Sequence, residues 1–249
     1  MWKKEVRTFW VDCGNNFGDN LTWYLFWKLA DIRLFMVKPE DSKFVGIGSI
    51  LEYVDNDYTG TIFGTGLMYS TARKDYTKAN VVGLRGKLTQ ERVKCTNDNI
   101  VLGDLGLLSH LLCKSREKKW KLGLLPHYVD RENEQIKRWS KIEGVKFIDI
   151  RSGVQNVIDQ AAQCETIVSS SLHGLILADA LNIPNEWVVL SDKIGGGEFK
   201  FRDYYSIFNI SPEPKREINW VNTEEYFRQD IEKIKNDLHL KFLEICETI

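Results

Sequence analysis

Short β-branched runs that stop at a glycine alternate with helical patterns from one end of the chain to the other. Two parallel strands must be joined by a crossover of a dozen or more residues, and a helix usually supplies it. The alternation therefore predicts an α/β fold made of βαβ units around parallel sheets. The clearest runs are KFVGIGS (43–49), GTIFGTG (60–66), NVVGLRGK (80–87) and NIVLGDLG (99–106).

A charged connector without proline, KSREKKW (114–120), divides the pattern into two halves. After it the alternation begins again, with strands predicted in VKFIDI and TIVSSS and helices in VQNVIDQAAQC and LHGLILADALN. We therefore predict two Rossmann-like parallel-sheet domains, residues 1–115 and 116–220, that face each other across a cleft. A C-terminal amphipathic helix is predicted to follow at 221–249.

Two segments of the second half have their own signals. Residues 194–205, IGGGEFKFRDYY, contain three consecutive glycines, which predicts a mobile loop. The last segment has apolar residues at steps of three or four and an Asn222/Glu225 capping box, which predicts a helix from about 222 onward. Its apolar positions are Phe227, Ile231, Ile234, Leu238, Phe242 and Ile245.

Composition excludes several classes of function. The 249 residues include 34 basic and 35 acidic side chains, so no overall field favours nucleic acid or an anionic membrane. The five cysteines are scattered and form no Cys-x-x-Cys pair, which argues against a disulfide framework or a zinc site. We read no signal peptide and no integral membrane segment, and we expect a cytoplasmic protein.

Polar residues and glycines follow many of the predicted strands. In an open parallel sheet the ligand lies beyond the carboxyl ends of the strands, so these residues are the first candidates for a site. Gly-x-Gly occurs twice without the full dinucleotide fingerprint, which is a weak signal for a nucleotide. The candidates are Asn15, Asn16, Asp19, Gly48, Gly64, Gly66, Arg85, Asp104, His127, Arg151 and the stretch Ser169, Ser170, Ser171, Leu172, His173, Gly174.

The serine and histidine stretch SSSLHGLILADALNIPN (169–185) carries the most chemistry. If a helix opens at Leu172, Ser171 is its N-cap and the backbone N–H groups of the first turn are free to bind an anion. A phosphate or carboxylate there would hold His173 as imidazolium, ready to donate a proton. The alternative is that the serines only cap the helix and His173 packs, and these residues alone leave both open.

This stretch resembles the Ser-Arg-Leu-His-Gly segment of the polysaccharide pyruvyl transferase family. Five further segments resemble that family in the same order, over residues 12 to 208. They are NFGDNL, LRGKLTQE, VLGDLGLL, LLPHYVD and GGGEFKFRDYYSIF.

The resemblance implies a two-domain, GT-B-like fold and an enzyme that moves pyruvate from phosphoenolpyruvate onto two sugar hydroxyls as a cyclic ketal. It implies no metal and no organic cofactor. His173 and Arg85 match family positions for phosphoenolpyruvate binding and acid catalysis, and His127 is the second candidate histidine. Leu105 stands where the family often has proline, and Ser171 stands where it usually has arginine.

A dianionic donor needs a cation in place of that arginine. Arg85 is the best anion ligand because guanidinium binds phosphate or carboxylate bidentately. Arg151, Lys200 and Arg202 are the candidate substitutes, although each could equally be a solvated surface charge. Asp19 and Asp104 orient hydroxyls or cap helices, and Tyr204 and Tyr205 stack on a sugar or pack in the core.

The leading hypothesis is a ketal pyruvyl transferase that acts on a surface polysaccharide or its precursor. Its expected partners are phosphoenolpyruvate and a glycan or lipid-linked oligosaccharide, which could bring the protein to the inner membrane surface, and not nucleic acid. One alternative is a nucleotide-sugar-dependent glycosyltransferase of the same architecture, since fold does not determine function. The other is a glycan-binding relative without catalytic activity.

Overall fold

The computed structural model describes residues 2–115, 117–226 and 228–249. Over these residues the chain forms twelve strands and seven α-helices, joined by turns and short 3₁₀ helices. The strands are β1 (Lys4–Phe9), β2 (Ile32–Met36), β3 (Phe44–Val45), β4 (Thr61–Thr65), β5 (Lys74–Asp75), β6 (Asn80–Leu84), β7 (Val93–Lys94), β8 (Val101–Leu102), β9 (Trp120–Leu124), β10 (Val145–Phe147), β11 (Cys164–Ser169) and β12 (Asn185–Trp187). The helices are α1 (Phe17–Ala30), α2 (Lys87–Gln90), α3 (Glu134–Trp139), α4 (Val154–Ala162), α5 (Leu172–Ala180), α6 (Phe199–Tyr205) and α7 (Ile231–Thr248).

Two parallel sheets carry the fold, as the sequence predicts. The first has the order β2-β1-β3-β4-β6-β8, and the second has the order β10-β9-β11-β12. Every strand pair in both sheets is parallel. The α/β fold with parallel sheets is therefore confirmed.

The order of the strands reverses once in each sheet. In the first sheet the chain goes from β1 outward to β2 and then returns to β3 on the other side of β1. In the second sheet it goes from β9 to β10 and returns to β11 on the other side of β9. Such reversals leave a crevice at the carboxyl ends of the two strands concerned, which is where ligands bind in open α/β sheets.

One hydrophobic core joins the two sheets. It includes Leu105 and Leu107 from the 3₁₀ helix Leu105–Leu112 and Leu175 and Ile176 from α5. Helix α7 returns to the first half, where Phe242 packs against Phe26 of α1 at 4.8 Å between ring centroids. The strands of the two sheets come from residues 4–102 and 120–187. The domain limits at 115 and 220 remain predictions, because this core crosses the first and α7 packs back across the second.

Two expectations about the second half are wrong. Residues 199–205 form helix α6 rather than a loop, because Phe201 stacks on Trp187 at 4.5 Å and Tyr204 and Tyr205 are buried. The glycines before the helix supply only the turn, where Gly196 and Gly197 have φ of +81° and +51°. The core interpretation of the two tyrosines is the correct one.

The last helix begins at Ile231 instead of near residue 222. Asn222 caps a short 3₁₀ turn by accepting a hydrogen bond from the Glu224 N–H, and Asp230 takes a left-handed φ of 58° before α7. Between them, Tyr226 and Arg228 reach the buried carboxylate of Asp179 at 3.0 and 3.1 Å. These contacts hold the segment in an extended path. Phe227 and the side chain of Glu225 lie outside the described residues.

A buried ion pair fastens α6 to the first sheet. Arg85 follows β6 and is 0% exposed, and its Nε lies 2.8 Å from Asp203 Oδ2 of α6. Its Nη1 and Nη2 donate to Ser49 Oγ and to the Leu67 carbonyl at 2.5 and 2.6 Å. Asp203 also accepts hydrogen bonds from the N–H and the hydroxyl of Thr89, both at 2.7 Å. All the main partners of this pair are therefore supplied by protein.

Replacing Asp203 by asparagine should lower the free energy of unfolding by about 3–5 kcal/mol, because the Arg85 charge stays buried without a counter-charge. Urea denaturation followed by circular dichroism measures the change. Glu213→Gln is the matched control, since Glu213 pairs with Arg202 at the surface, where ion pairs contribute little. Equal midpoints for the two variants would show that the buried pair does not hold α6.

Candidate active site

A cavity of about 220 Å³ lies where the crevices of the two sheets meet. Cys13, Asn16 and Asp19 line it after β1, and Gly48 and Ser49 line it after β3. On the opposite side it is lined by residues that follow β9 and β11, namely His127, Tyr128, Ser171, Leu172 and His173. Both reversals of strand order therefore open into the same space.

The two halves also contact each other directly beside this cavity. The Phe17 N–H at the start of α1 donates to the Ile150 carbonyl at 3.0 Å. Arg151 Nη2 donates to the Cys13 carbonyl at 3.2 Å, and its guanidinium lies over the Tyr128 ring at 4.1 Å from the centroid. These contacts occupy the Arg151 side chain in joining the loops of the two sheets.

His173 lies in the first turn of α5 with its side chain 13% exposed. Its Nε2 is buried without a hydrogen-bond partner among the residues that the structure describes. Burial lowers the pKa of the imidazole to about 3, and the charges of Arg85, Lys200 and His127 act in the same direction. His173 is therefore neutral at pH 7 in the protein without an anion.

Gly18 makes the space that the imidazole occupies. A Cβ on Gly18 would lie 2.0 Å from His173 Nδ1 and 2.5 Å from Cγ, closer than any non-bonded contact allows. Gly174 is excluded from carrying a side chain in the same way, by Ser169 Oγ at 2.3 Å and Leu125 Cδ2 at 2.4 Å. Both glycines support the site by allowing close packing around His173 and Ser169.

Asp104 faces His173 from the start of the 3₁₀ helix. Its Oδ1 accepts a hydrogen bond from the Gly106 N–H at 2.8 Å, and its Oδ2 lies 3.8 Å from His173 Nε2. Burial raises the pKa of the carboxyl to about 7, although the Gly106 N–H and Arg85 oppose the shift. Asp104 is thus partly protonated at neutral pH.

The candidate substitutes for the absent arginine are placed differently. Lys200 of α6 lines the cavity, and burial lowers its pKa to about 8, with Arg85 adding to the effect. Arg202 forms ion pairs with Glu198 and Glu213 on the surface, at 2.8 and 3.1 Å. Arg151 is engaged at the junction of the halves. Lys200 is therefore the candidate with direct access to a ligand.

His127 and two of the serines are held by a buried hydrogen-bond chain. The His127 N–H donates to Ser170 Oγ at 3.0 Å, and this hydroxyl donates to Asp130 Oδ2 at 2.7 Å. Ser169 Oγ donates to the Leu125 carbonyl at 2.6 Å. Burial lowers the pKa of His127 to about 4, with smaller contributions from Lys200 and Arg151.

Ser171 occupies the N-cap position of α5, as predicted. Its side chain makes no capping hydrogen bond within the described part of the chain, and the residue lines the cavity. Ser169 and Ser170 instead have their hydroxyls committed inside the protein. The backbone at Ser171 and the first turn of α5 therefore face the cavity, while the two serines before it brace the loop.

The remaining predicted residues divide between wall and scaffold. Asp19 lines the cavity, where its Oδ2 accepts from Asn16 Nδ2 at 2.9 Å and from the Cys13 N–H at 3.3 Å. Burial raises the pKa of Asp19. Asn15 is exposed with a φ of 60° in the preceding turn.

Gly64, Gly66 and Arg85 lie behind the cavity wall. A Cβ on Gly66 would come within 2.6 Å of Arg85 Cζ, and one on Gly64 would meet Leu105 at 2.6 Å. These two glycines permit close packing of the scaffold. Arg85 acts on the site through its charge, and direct contact between Arg85 and an anion stays a prediction.

Sequence reasoning missed several residues of the cavity. Lys193, Ser49, Tyr53 and Tyr128 line it, and Tyr53 is 54% exposed at the surface. Lys193 follows the last strand of the second sheet, so the rule that strand ends carry ligands could have found it. Tyr53 follows a short 3₁₀ helix and has no comparable signal.

Two wider searches gave no further site. Within the described ranges, no three His, Cys, Asp or Glu side chains cluster closely enough to hold a metal ion. Among those same residues, no helix has both the length and the apolar character needed to cross a membrane.

Gly18→Ala should displace the His173 imidazole, because the new methyl group would overlap the ring. The ¹H–¹⁵N spectrum of ¹⁵N-histidine-labelled protein should then show shifted His173 signals. Gly195→Ala is the control in the same cavity, since its Cβ would meet only Met68 Sδ at an ordinary 3.8 Å. Unchanged His173 signals in the folded Gly18→Ala protein would contradict this account of the close contact.

Comparisons with known proteins agree with this geometry. The chain is 30% identical over 222 residues to an uncharacterized protein of Acanthamoeba polyphaga mimivirus, covering 84% of this chain and 76% of the relative. It is 27% identical over 216 residues to the succinoglycan biosynthesis protein ExoV of Rhizobium meliloti strain 1021, covering 84% of this chain and 66% of that protein. The profile of polysaccharide pyruvyl transferases matches residues 13–192, a range that contains Asp19, Asp104, His127 and His173. The chain therefore belongs to the polysaccharide pyruvyl transferase family.

Proposed function

We propose that this protein transfers pyruvate from phosphoenolpyruvate onto two hydroxyls of a sugar, in a polysaccharide or its precursor, as a cyclic ketal. The observation that carries the proposal is the buried His173 beside Lys200 in a cavity shared by both sheets. The name of the relative ExoV, which refers to succinoglycan biosynthesis, supports a polysaccharide as the class of acceptor.

The size of the cavity favours a small donor. Its volume of about 220 Å³ lies below the roughly 300–1,000 Å³ of pockets for drug-sized ligands. Phosphoenolpyruvate is a three-carbon compound, whereas a nucleotide sugar must accommodate a base, a ribose, two phosphates and a sugar. The proposal therefore gains support over the glycosyltransferase alternative.

The charges of the cavity suit a dianion. A unit positive charge about 4 Å from a phosphate contributes roughly 4 kcal/mol at an effective dielectric constant of about 20. Lys200 and Lys193 line the cavity, and the free N–H groups at the start of α5 face it. Arg85 adds a fixed positive charge behind the wall. These groups can replace the arginine that other family members have at Ser171.

The reaction needs one proton donor and one acceptor. A proton from His173 goes to the methylene carbon of phosphoenolpyruvate, and a sugar hydroxyl attacks the central carbon. Phosphate then leaves, and the second hydroxyl closes the ring. The two hydroxyl protons are released to bases, of which one restores His173. Asp19 is the candidate acceptor, because it lines the cavity and burial raises its carboxyl pKa.

A thermal-shift screen separates the proposal from its alternatives. A ligand that binds only the folded protein stabilises it by RT ln(1 + [L]/Kd). Phosphoenolpyruvate should raise the melting temperature. Stabilisation by a uridine or cytidine nucleotide instead would favour a glycosyltransferase, and stabilisation by glycans alone would favour a non-catalytic relative.

Phosphoenolpyruvate should bind more weakly as pH rises through about 8, because Lys200 has a lowered pKa and is charged only below it. Calorimetry at pH 7 and pH 9 measures the change in Kd. Lys200→Arg should bind with a smaller change between the two pH values, since guanidinium stays charged. Lys200→Met should weaken binding at pH 7 by about tenfold or more. Arg202→Ala, a change in a surface ion pair, should have no effect, and an equal loss in Arg202→Ala and Lys200→Met would oppose this role.

His173→Ala should lower pyruvyl transfer by ~10²–10⁴-fold, the usual contribution of a general acid, while phosphoenolpyruvate binding falls much less. The assay follows ketal formation on p-nitrophenyl hexopyranosides that have free 4- and 6-hydroxyls. In deuterated water the wild-type product should carry deuterium in its new methyl group. His127→Ala, measured in parallel, tests the second histidine. Near wild-type transfer by His173→Ala would remove His173 from catalysis.

A further inference from the structure

Two buried polar atoms face each other in the wall of the cavity. His173 Nε2 and Asp104 Oδ2 are 3.8 Å apart, and neither has a hydrogen-bond partner among the described residues. Asp104 is 0% exposed, and its other oxygen is occupied by the Gly106 N–H. A buried polar atom without a partner costs about 1–3 kcal/mol. Two such atoms side by side therefore point to a proton that passes between them.

The two nitrogens of the imidazole have different surroundings. Nε2 is enclosed and faces Asp104, whereas Nδ1 lies beside Gly18 at the start of α1. His173 lines the cavity, and Nδ1 is the nitrogen left for a ligand once Nε2 is turned toward Asp104. The proton that reaches a substrate therefore leaves from Nδ1.

We propose that Asp104 is the positioning residue of His173, which passes its carboxyl proton to Nε2 while Nδ1–H donates to the substrate. The inference rests on the proposed function and adds a residue and an atom to it. In the resting pair Asp104 is a neutral acid, and His173 is neutral with its proton on Nδ1. When Nδ1–H protonates the methylene carbon, the Asp104 proton moves to Nε2. The pair is left as Asp104 carboxylate and Nε2–H imidazole, and one proton taken up at Nδ1 restores it.

The charges around the pair support this arrangement. Arg85, Lys200 and His127 face His173 and disfavour a second positive charge there, in addition to the effect of burial. Asp203 of α6 disfavours a carboxylate at Asp104, while Arg85 favours one. The carboxyl pKa of about 7 and the imidazole pKa of about 3 leave the proton on Asp104 below neutral pH. A neutral pair also avoids placing two charges in a desolvated wall.

Histidine NMR tests the pair without any substrate. In the ¹H–¹⁵N spectrum of wild-type protein, His173 should show the Nδ1–H form below about pH 7 and the Nε2–H form above it, because the Asp104 carboxylate attracts a proton to Nε2. Assignment comes from His173→Gln. Asp104→Asn should abolish this change and leave the signals of His110, His127 and His239 in place. A single His173 tautomer from pH 5 to 9 in wild-type protein would overturn the proposal.

Kinetics give the second test. Asp104→Asn should lower kcat by about 10²-fold, with KM for phosphoenolpyruvate changed by less than about threefold. Wild-type kcat should fall as rising pH removes the proton from the pair. In Asp104→Asn only His173 can hold that proton, so the fall should begin at lower pH. Wild-type kcat and an unshifted pH profile would overturn the proposal.

Two controls separate positioning from structure and from the function itself. Asp104→Asn keeps an oxygen that can accept from the Gly106 N–H, whereas Asp104→Ala removes it. Both variants should lose kcat, but only Asp104→Ala should melt at a clearly lower temperature. If wild-type protein forms no ketal from phosphoenolpyruvate, the proposed function fails. The tautomer measurement then still decides the relation between Asp104 and His173.

Discussion

The buried ion pair between Arg85 and Asp203 is the interaction on which the site depends. It joins the end of β6 to helix α6, and the guanidinium also holds the turn at Ser49 and the Leu67 carbonyl. Ser49 lies in one wall of the cavity and Lys200 of α6 in another. A charge that is 0% exposed must be compensated, so this requirement determines where α6 and its lysine lie. Arg85 thus contributes charge to the site while its hydrogen bonds hold the scaffold.

Glycines allow the separate motifs to touch one another. Gly18 lies against His173, Gly66 against the Arg85 guanidinium and Gly86 against the Asp203 backbone, and in each case a Cβ would come within 2.6 Å of the neighbouring residue. Each contact joins segments far apart in sequence. A substitution in one motif therefore acts on a polar group in another, which explains why the segments recur together rather than singly.

The site keeps its titratable groups close to neutral until an anion arrives. Burial lowers the pKa of His173 and Lys200 and raises that of Asp104. A dianionic donor would reverse part of these shifts, because its charge favours the protonated forms of the lysine and the histidine. Binding and protonation are then coupled, so that the proton is available mainly when the substrate is present. Such coupling suits a reaction that begins with protonation of an unreactive carbon.

Local patterns in the sequence determined the parallel sheets, the position of Ser171 before α5 and the set of strand ends that carry polar groups, because strand and helix periodicity depends on neighbouring residues. They could not distinguish wall from scaffold. Arg85 is behind the wall and Lys200 within it, although both are basic residues in family-like segments. The Gly-rich stretch before α6 reads as a loop, but burial of Phe201, Tyr204 and Tyr205 makes its second half helical. Only the tertiary structure brings Asp104 opposite His173, since their meeting depends on packing the 3₁₀ helix against α5, 68 residues later in the chain.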